Sequence, residues 1–407
     1  MNVLYLTYDG LLDPLGDSQI LPYIEGVRPE VENFYIISFE KPSKTLDEIQ
    51  SKRSYLLERK IVWIQLQFSD SSNILLKALD MMKLYIAMSR LMLFIKIDLI
   101  HARGHPSASA ALLLKRIFNF KLLFDFRGLW ADEKVTKGSW NLSKTSHLLQ
   151  YNYYKQREIK LFKNCEKLVV LTKKVALEIE SLLPGSSHKI TIIPCAADYE
   201  HFNLRQNEDR RSKSFGRSAS NITLGYLGSI GPMYQFERYL RFIDFARQQG
   251  LNCSGLVISG NLDQATKEIQ RYFSSTDIPN FLTVASASRA TVPHFIHQMS
   301  CLISFYEIKY SVISVSPTKI GETLACGIPV ICNAGIGDTN EIITSMNAGF
   351  VMDDTSDASI QKAVSALPQI MRLKAIKIRE SSKKIFDLDI AVNKYIKIYH
   401  ALQSTTS

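Results

Sequence analysis

The chain has 407 residues, of which 46% are hydrophobic and 22% charged, with 19 Gly and 13 Pro. This composition excludes collagen-like and disordered chains, and the length predicts two or three domains. Lys and Arg outnumber Asp and Glu by 49 to 39, which gives a formal net charge of +10. Such an excess is typical of proteins that bind nucleic acid, an acidic membrane or a phosphorylated substrate. It does not indicate which of these is the partner.

The N-terminal segment and the cysteines indicate a cytoplasmic protein. Residues 1–7 lack the basic start and the long apolar core of a signal peptide, and they predict a buried strand instead. The six cysteines are scattered without a Cys-x-x-Cys pair, so we expect reduced thiols and neither disulfides nor a zinc site. The longest apolar stretch, residues 74–100, is broken by charges and is not expected to span a membrane.

Short apolar runs alternate with longer amphipathic segments along the chain. This alternation predicts an α/β protein built from two Rossmann-like domains, each with a doubly wound parallel sheet. We expect strands at 3–7, 34–39, 61–66, 98–101, 121–126, 167–171, 189–193, 222–227, 255–259, 281–284, 301–305 and 329–332, and helices between them, for example at 106–118 and 172–183.

A polar stretch divides the two predicted domains. Residues 204–220 are almost wholly polar, so we place the N-terminal domain at 1–200, a linker at 201–220 and the C-terminal domain at 221–385. A final helix at 386–407 is expected to cross back to the first domain. Open α/β sheets bind ligands at the carboxyl ends of their strands, so two such sheets in series predict a ligand cleft.

The most informative segment, residues 316–331, carries its own helix start and stop. Ser316 is a suitable N-cap residue, and Pro317 suits the first helical position. Gly327 suits a left-handed residue just past the end, and Pro329 prevents continuation. We therefore predict a short helix whose N-terminus faces the ligand.

This helix carries a cation and a carboxylate one turn apart. The N–H groups and dipole of a helix start attract anions, and Lys319 in the first turn adds a full charge. Glu322 lies three residues further on and shares a face with Lys319. A cation for phosphates and a carboxylate for vicinal hydroxyls suit a nucleoside diphosphate. The alternative is an ordinary Lys–Glu pair on the surface.

Residues 322–330 have the pattern Glu-x-x-Ala-Cys-Gly-x-Pro-Val. In this segment the chain resembles glycosyltransferase family 4, retaining enzymes of the GT-B fold. The resemblance implies that Glu322 binds the nucleotide ribose and that Thr318 and Lys319 contact the donor. The family usually has a second Glu eight positions earlier, where this chain has Ser314, and a Ser-Pro-x-Lys variant replaces its Gly-rich tract.

A glycine-containing turn at 226–231 is similar to the turn after the first strand of the family's second domain. The resemblance makes Gly228, Ser229 and Gly231 donor-binding positions. In the family, an Arg and a Lys usually follow this turn and bind the diphosphate, but in this chain Pro-Met-Tyr follows it. Lys319 is therefore expected to carry more of the phosphate charge, and backbone N–H groups of 228–231 to supply the remainder.

Two other stretches fit the same family. Residues 193–202 are similar to the segment in which the family's chain leaves the first domain. They lie directly before the predicted linker. Residues 8–19 resemble the first βα loop, in which Gly16 would let the backbone approach donor phosphate or acceptor.

Two clusters after first-domain strands supply the candidates for catalysis and acceptor binding. In the first, residues 98–106, the family often has Asp-x-x-His-x-His, with the second His beside the reacting sugar. Direct register puts Arg103 at that position, and His105 lies two residues later, so both stay candidates. An Arg would stabilise departing phosphate, and a His could accept a hydrogen bond.

The second cluster, residues 125–133, makes Asp125 and Arg127 candidates for acceptor binding. The alternative is a buried ion pair that ties loops together. His101, in the first cluster, is interpreted as a core histidine. Asp387-Leu388-Asp389 has the spacing of a metal-binding Asp-x-Asp motif, but it lies outside a post-strand position and is interpreted as incidental.

The resemblance implies transfer of a sugar from a nucleotide-diphosphate donor to a hydroxyl with retention of configuration, without metal or cofactor, in surface polysaccharide biosynthesis. A non-catalytic nucleotide-sugar-binding homologue is the main alternative. A Rossmann oxidoreductase is less favoured, because Gly225-x-x-Gly228-x-x-Gly231 is not Gly-x-Gly-x-x-Gly. A nucleic-acid-binding protein is least favoured, because the basic residues are dispersed.

The basic and apolar segment at 72–97 leaves two interpretations open. It resembles interfacial helices that rest on anionic lipid, and it is equally compatible with a core helix that has a solvated stripe. On the first interpretation the protein would be peripheral at the inner face of the plasma membrane. A lipid-linked saccharide would then be a natural acceptor.

Overall fold

The computed structural model describes residues 1–69, 74–204 and 221–404. The chain divides into two units. One comprises Met1–Lys134, Trp140–Pro194 and Leu388 onward, and the other comprises Val135–Ser139 and Cys195–Asp387. Most of the predicted linker, 205–220, lies outside the described residues.

The first unit contains a parallel sheet of seven strands in the order β3-β2-β1-β4-β5-β6-β7. Its strands are β1 (Asn2–Thr7), β2 (Asn33–Glu40), β3 (Ile61–Gln67), β4 (Leu99–Arg103), β5 (Lys121–Asp125), β6 (Lys167–Val170) and β7 (Ile190–Ile192). Its helices are α1 (Pro14–Gln19), α2 (Leu21–Val27), α3 (Leu46–Glu58), α4 (Ile74–Phe94), α5 (Gly104–Leu114), α6 (Trp130–Thr136), α7 (Thr145–Asn164) and α8 (Lys173–Leu182).

The strand order follows from burial of the apolar runs. Every residue of β4 is buried, and β1 is buried from its second residue onward. Strands that are buried on both faces lie in the middle of a parallel sheet with helices on each side. From β1 the strands are added outward to β3 on one side of the sheet, and from β4 they are added outward to β7 on the other side. This is the doubly wound arrangement predicted from the sequence.

The C-terminal helix α16 (Leu388–Ser404) packs within the first unit. It lies against α2, where the ring of Tyr395 meets that of Tyr23 edge-on at 5.7 Å. The approach is close because Gly26 has no side chain. A Cβ atom at Gly26 would lie 2.6 Å from the side chain of Val392.

The second unit contains a parallel sheet of six strands in the order β10-β9-β8-β11-β12-β13. Its strands are β8 (Ile222–Leu227), β9 (Cys253–Ile258), β10 (Leu282–Ala285), β11 (Cys301–Ser304), β12 (Val330–Asn333) and β13 (Gly349–Met352). Its helices are α9 (Phe236–Gln248), α10 (Leu262–Phe273), α11 (Val292–Ile296), α12 (Thr318–Ala325), α13 (Thr339–Met346), α14 (Asp357–Ile370) and α15 (Ala375–Phe386).

The element boundaries differ from the sequence predictions by a few residues, and one strand was missed. β4 runs to Arg103 rather than ending at residue 101, while α5 begins at Gly104 rather than residue 106. The longer strand matters because it puts Arg103 on the sheet itself. β13 was not predicted, because Gly349 opens it and its residues are mostly half-buried at the sheet edge.

The segment at 195–204 belongs to the second unit, where α15 holds it. The N–H of Ala197 donates to the Phe386 carbonyl at 2.7 Å, and the Tyr199 hydroxyl donates to Ser382 Oγ at 2.7 Å. Arg379 donates to the carbonyls of Tyr199, Phe202 and Ala325. Since Ala325 ends α12, one guanidinium joins this segment to the end of that helix.

All six cysteines are buried as free thiols. Burial raises the pKa of the Cys165 thiol to about 11 and that of Cys332 to about 12. Across 1–69, 74–204 and 221–404, no helix combines the length and the apolar character that crossing a bilayer demands. The same residues contain no group of three or more His, Cys, Asp or Glu side chains placed to hold a metal ion.

Candidate functional site

Sheet register brings candidates from β1, β4 and β5 together at one end of the first unit. Thr7 pairs with Arg103, and Arg103 pairs with Asp125 on the next strand. These residues close their strands, so their side chains and the loops that follow occupy the carboxyl edge of the sheet. Ligands of doubly wound sheets bind at that edge.

Arg103 and Arg127 converge on the carboxylate of Asp125. Arg103 Nη1 lies 3.5 Å from Asp125 Oδ2, and Arg127 Nη1 lies 3.4 Å from Asp125 Oδ1. Asp125 is 2% exposed. Burial alone would raise the pKa of Asp125, but the charges of Arg127 and Arg103 outweigh it and hold this pKa below its usual range. The cluster is therefore a carboxylate shared by two guanidinium groups.

A buried ion pair between Asp125 and Arg127 that ties loops together accounts for only part of this geometry. Arg103 Nε lies 3.5 Å from the half-exposed Asp9, which follows β1. Among the described residues this buried Nε has no hydrogen-bond acceptor. A buried N–H donor without an acceptor is costly in the free protein and is available to a ligand oxygen.

His101 lies beneath this cluster, between the sheet and α16. Its Nδ1 hydrogen-bonds with the Tyr399 hydroxyl at 2.8 Å, and its Nε2 lies 3.8 Å from Asp125 Oδ2, too far for a hydrogen bond. Burial lowers the pKa of His101, so its imidazole is neutral. His101 thus occupies the core, as interpreted from the sequence, although within the described chain its Nε2 has no hydrogen-bond partner.

The structure separates the two catalytic candidates, Arg103 and His105. The His105 ring stacks on Trp130 with centroids 5.8 Å apart and meets Tyr154 edge-on at 5.7 Å. Its Nδ1 lies 3.5 Å from Ser109 Oγ on the same helix. Burial lowers the pKa of His105 to about 4. Arg103 therefore belongs with Asp125, whereas His105 lies in an aromatic environment formed by α5, α6 and α7.

Contacts within its own loop explain why residue 16 is a glycine, namely Gly16. It is buried in α1, and a Cβ atom there would lie 2.3 Å from the carbonyl oxygen of Leu11. The carboxylate of Glu40, at the end of β2, accepts hydrogen bonds from the N–H groups of Leu11 and Leu12 at 2.8 and 3.1 Å. The close packing of this loop requires a glycine, and a role for Gly16 toward a ligand stays a prediction.

In the second unit, α12 begins one residue later than the sequence predicted. Pro317 is the N-cap residue and Thr318 is the first residue of the helix. The prediction that Ser316 caps the helix is wrong, because its Oγ accepts a hydrogen bond from the N–H of Cys195 at 3.1 Å. The predicted end is confirmed, since Gly327 is left-handed with φ of 74°.

Lys319 and Glu322 form the expected pair, with Nζ 2.9 Å from Oε2. The pair is not an ordinary surface one. The Glu322 side chain is 2% exposed, whereas that of Lys319 is 38% exposed. A buried carboxylate is costly unless a cation or hydrogen bonds compensate it. The helix therefore holds a buried acid beneath a cation that solvent can reach.

The glycine turn after β8 leaves open space above its backbone. A Cβ atom at Gly228 or Gly231 would have no heavy atom within 4 Å, and Gly228 has φ of 143°. The N–H of Gly228 donates to the Ile258 carbonyl at 3.0 Å, so this group is used within the fold, and a role for Gly228 toward the donor stays a prediction. The N–H groups of Ser229 and Ile230 have no acceptor within the described residues.

Sequence reasoning did not assign roles to Asp9, Glu40 and Arg379. Asp9 directly follows β1, the strand beside β4, so strand order would have pointed to it. Glu40 ends β2 and holds the first loop. Arg379 lies 54 residues from the Ala325 carbonyl that it contacts, and no local pattern reports such a partner.

The sequence profile described as Glycosyltransferase Family 4 matches residues 52–201 of the chain. TuaH of Bacillus subtilis (strain 168), provisionally described as a teichuronic acid biosynthesis glycosyltransferase, is 24% identical over 226 residues. The match covers 54% of this chain and 52% of TuaH, so it spans about half the length of that relative.

Solved glycosyltransferase structures share the fold over nearly the whole chain. Sucrose-phosphate synthase from Thermosynechococcus elongatus is similar with a TM-score of 0.71 and 14% identity, covering 100% of both chains. HepE of Anabaena in complex with UDP and glucose has a TM-score of 0.67 and 13% identity, covering 98% of this chain and 99% of HepE. WaaG, a glycosyltransferase involved in lipopolysaccharide biosynthesis, has a TM-score of 0.65 and 13% identity, covering 97% of this chain and 99% of WaaG. The chain therefore has the GT-B fold, and part of its first unit is similar to the glycosyltransferases of family 4.

Proposed function

We propose that the protein is a glycosyltransferase that moves a sugar from a nucleotide-diphosphate donor to a hydroxyl of a saccharide or lipid-linked saccharide, with retention of anomeric configuration. The observation that carries the proposal is the buried Glu322 beneath the solvent-reachable Lys319 in α12. α12 is mostly buried, and a carboxylate in such a position is costly to the fold unless it is compensated. A ribose with two hydroxyl groups gains a charge-assisted acceptor from it.

The donor site is assigned to the second unit. Lys319 and the N-terminus of α12, beginning at Thr318, would meet the diphosphate, and Glu322 would accept hydrogen bonds from the ribose. The N–H groups of Ser229 and Ile230 and the open space at Gly231 allow a close approach of the phosphates to the backbone. These groups are fixed before the reaction, so they can stabilise the charge that develops on the departing diphosphate.

The acceptor site is assigned to the first unit. Asp125 stays ionised because burial is outweighed by its two guanidinium neighbours, and it holds Arg103 and Arg127 in place. The Nε of Arg103, which has no hydrogen-bond acceptor among the described residues, would donate to an oxygen of the acceptor or of the leaving group. Arg103 is the preferred catalytic residue, because neutral His105 is packed against Trp130 and Tyr154.

The proposal uses the chain's own cations and backbone donors, and it assigns neither a metal nor a cofactor to the reaction. HepE has been solved with UDP-glucose, and TuaH is described for teichuronic acid biosynthesis. These relatives support a nucleotide-sugar donor and a role in surface polysaccharide biosynthesis. We place the protein in the cytoplasm, peripheral at the inner face of the plasma membrane.

The principal experiment measures donor turnover as nucleoside diphosphate released from UDP-, GDP- and ADP-sugars in the presence of an acceptor mixture. Glu322→Gln is expected to lower kcat/KM at least about 100-fold, because the neutral amide is a weaker acceptor at the ribose. Lys319→Ala is expected to be comparably impaired through loss of the phosphate contact. Undiminished turnover in both variants would overturn the donor site.

Two controls separate function from folding. Lys362→Ala removes an exposed lysine of the same unit, whose side chain is 69% exposed, and should leave turnover unchanged. Lys319→Ala leaves Glu322 buried without its cation, so the Lys319→Ala/Glu322→Gln double variant is needed to restore the fold if the single variant is unstable. Donor binding without any release or transfer would favour a non-catalytic nucleotide-sugar-binding homologue, which the missing cations after Gly231 also suggest.

A further inference from the structure

α4 has apolar side chains on two faces, one of which the fold does not use. Its inner face is buried through Leu84, Met88 and Met92. A surface helix of a globular protein has one such stripe and a polar opposite face. The outer face of α4 instead carries a second apolar stripe.

The outer stripe is large and regular. Leu79, Met82, Ile86 and Leu93 are 43–70% exposed, and they recur at spacings of three, four and seven residues, which aligns them on one side of a helix. Phe94, next to Leu93, is 87% exposed. Scattered apolar residues on a surface are ordinary, but several large ones on one side of a helix, with the exposed Arg90 between Ile86 and Leu93, indicate an interaction surface.

A groove runs beside the stripe, between α4 and the edge strand β3. Its volume is about 610 Å³, and Ile64 and Leu66 of β3 line it together with Ile86, Leu91 and Phe94 of α4. The apolar surface therefore extends from the helix onto the edge of the sheet.

The charged residues that line the groove are both positive. Lys83 and Arg90 line the same groove, and Lys96 follows the helix with 83% exposure. The acidic residue of α4, Asp80, is fully buried, where it accepts hydrogen bonds from Tyr8 and Ser69 and contacts Lys83 at 3.3 Å. Arg90 has no ion-pair partner in the part of the chain that the structure describes. The exposed charges of α4 are thus all positive.

We propose that the outer face of α4 and the adjacent groove form a docking surface for a bilayer that contains anionic lipid. The apolar stripe would enter the boundary between headgroups and acyl chains, and Arg90, Lys83 and Lys96 would meet acidic headgroups. A second copy of the chain fits less well, because a twofold contact through this face would bring like charges together.

This inference deepens the peripheral location proposed above by naming the surface and the lipid class. It rests on α4 and β3 of the first unit and not on the donor residues of the second. Vesicle binding needs no donor, so failure of docking and failure of sugar transfer are separate results.

The test is co-sedimentation of the full chain with vesicles of phosphatidylcholine alone and of phosphatidylcholine with 30% phosphatidylglycerol. We expect binding to the anionic vesicles, weak binding to the neutral ones, and loss of binding as salt is raised. Leu79→Asp/Ile86→Asp should lower the partition coefficient more than about tenfold, since both side chains would otherwise be buried in the interface. Arg90→Glu should lower it about fivefold or more.

Matched controls come from exposed residues elsewhere in the same unit. Leu177→Asp on α8 changes a leucine that is 61% exposed, and Arg53→Glu on α3 changes an exposed arginine. Both should bind as the wild type does. Absence of vesicle binding, equal binding to neutral and anionic vesicles, or equal losses in the control variants would overturn the proposal. A dimer in solution that Leu79→Asp/Ile86→Asp converts to monomers would also overturn it and assign the face to a second copy.

Discussion

The two units build their charged sites in different ways from the same kind of sheet. In the first unit, Arg103, Asp125 and Arg127 come from the ends of two neighbouring strands, with Asp9 following a third. In the second, Lys319 and Glu322 lie one turn apart on a single helix. One site depends on strand register and the other on helix periodicity.

This difference predicts different responses to substitution. The first-unit cluster shares one buried carboxylate between two cations, so removing Asp125 takes from both guanidinium groups the carboxylate that they share. Glu322 has a partner that is 38% exposed, and water can solvate Lys319 if the acid is neutralised. We therefore expect fold and function to fail together in Asp125→Ala and to separate in Glu322→Gln.

The largest effect is expected for Asp125→Ala. Breaking a buried ion pair by removing one partner costs about 3–5 kcal/mol of unfolding free energy. Chemical denaturation of the wild type and the variant measures this loss. Asp357→Ala is the matched control, because its contacts with Arg241 are exposed and should contribute little. Equal stability of Asp125→Ala and the wild type would show that the cluster does not hold the sheet edge together.

His105 gives a pH-dependent test within the first unit. Its pKa of about 4 in the folded chain lies below the ordinary value of 6.5 because it is buried. The unfolded chain therefore takes up the proton first as the pH falls. The contribution of neutral His105 to stability is complete above pH 6.5 and is lost between pH 6.5 and 4, by at most about 3 kcal/mol.

The measurement for His105 is the unfolding free energy of the wild type and of His105→Gln from pH 7.5 to 4. The wild type should lose more stability than the variant over this range. Parallel curves would mean that His105 is not held neutral by burial. A kcat that titrates with His105 near pH 6.5 would instead favour it over Arg103 as the catalytic residue.

The smallest effect on stability is expected for Gly231→Ala. A Cβ atom there has no heavy atom within 4 Å, so unfolding free energy should change by no more than about 0.5 kcal/mol. Affinity for a nucleoside diphosphate, measured by calorimetry, should still fall if the phosphates approach this turn. Gly260→Ala, which also has open space, is the control and should bind normally. Unchanged affinity of Gly231→Ala would remove this turn from the donor site.

The same contrast explains how much the sequence could predict. The Lys319–Glu322 pair and the left-handed Gly327 were predicted because their partners lie within a few residues. Arg103 and Asp125 are 22 residues apart in the sequence, and their contact requires knowledge of which strands are neighbours. The sequence could therefore identify each residue as a candidate, but it could not predict that the two are in contact.

Other features depended on contacts that no local pattern reports. Ser316 has the chemistry of a helix cap, but its hydroxyl oxygen accepts a hydrogen bond from the N–H of Cys195, which is distant in the sequence. The Gly228 amide was expected to be available, but β9 supplies its acceptor through Ile258. The role of His105 could not be decided from the sequence, because its environment comes from two helices that follow later in the chain.

The most direct test of the donor site is a crystal structure of the protein with a bound nucleoside diphosphate. The proposed function predicts the diphosphate at the N-terminus of α12 within reach of Lys319 Nζ, and the ribose hydroxyls on the Glu322 carboxylate. A nucleotide bound elsewhere, with the Lys319–Glu322 pair undisturbed, would contradict the assignment.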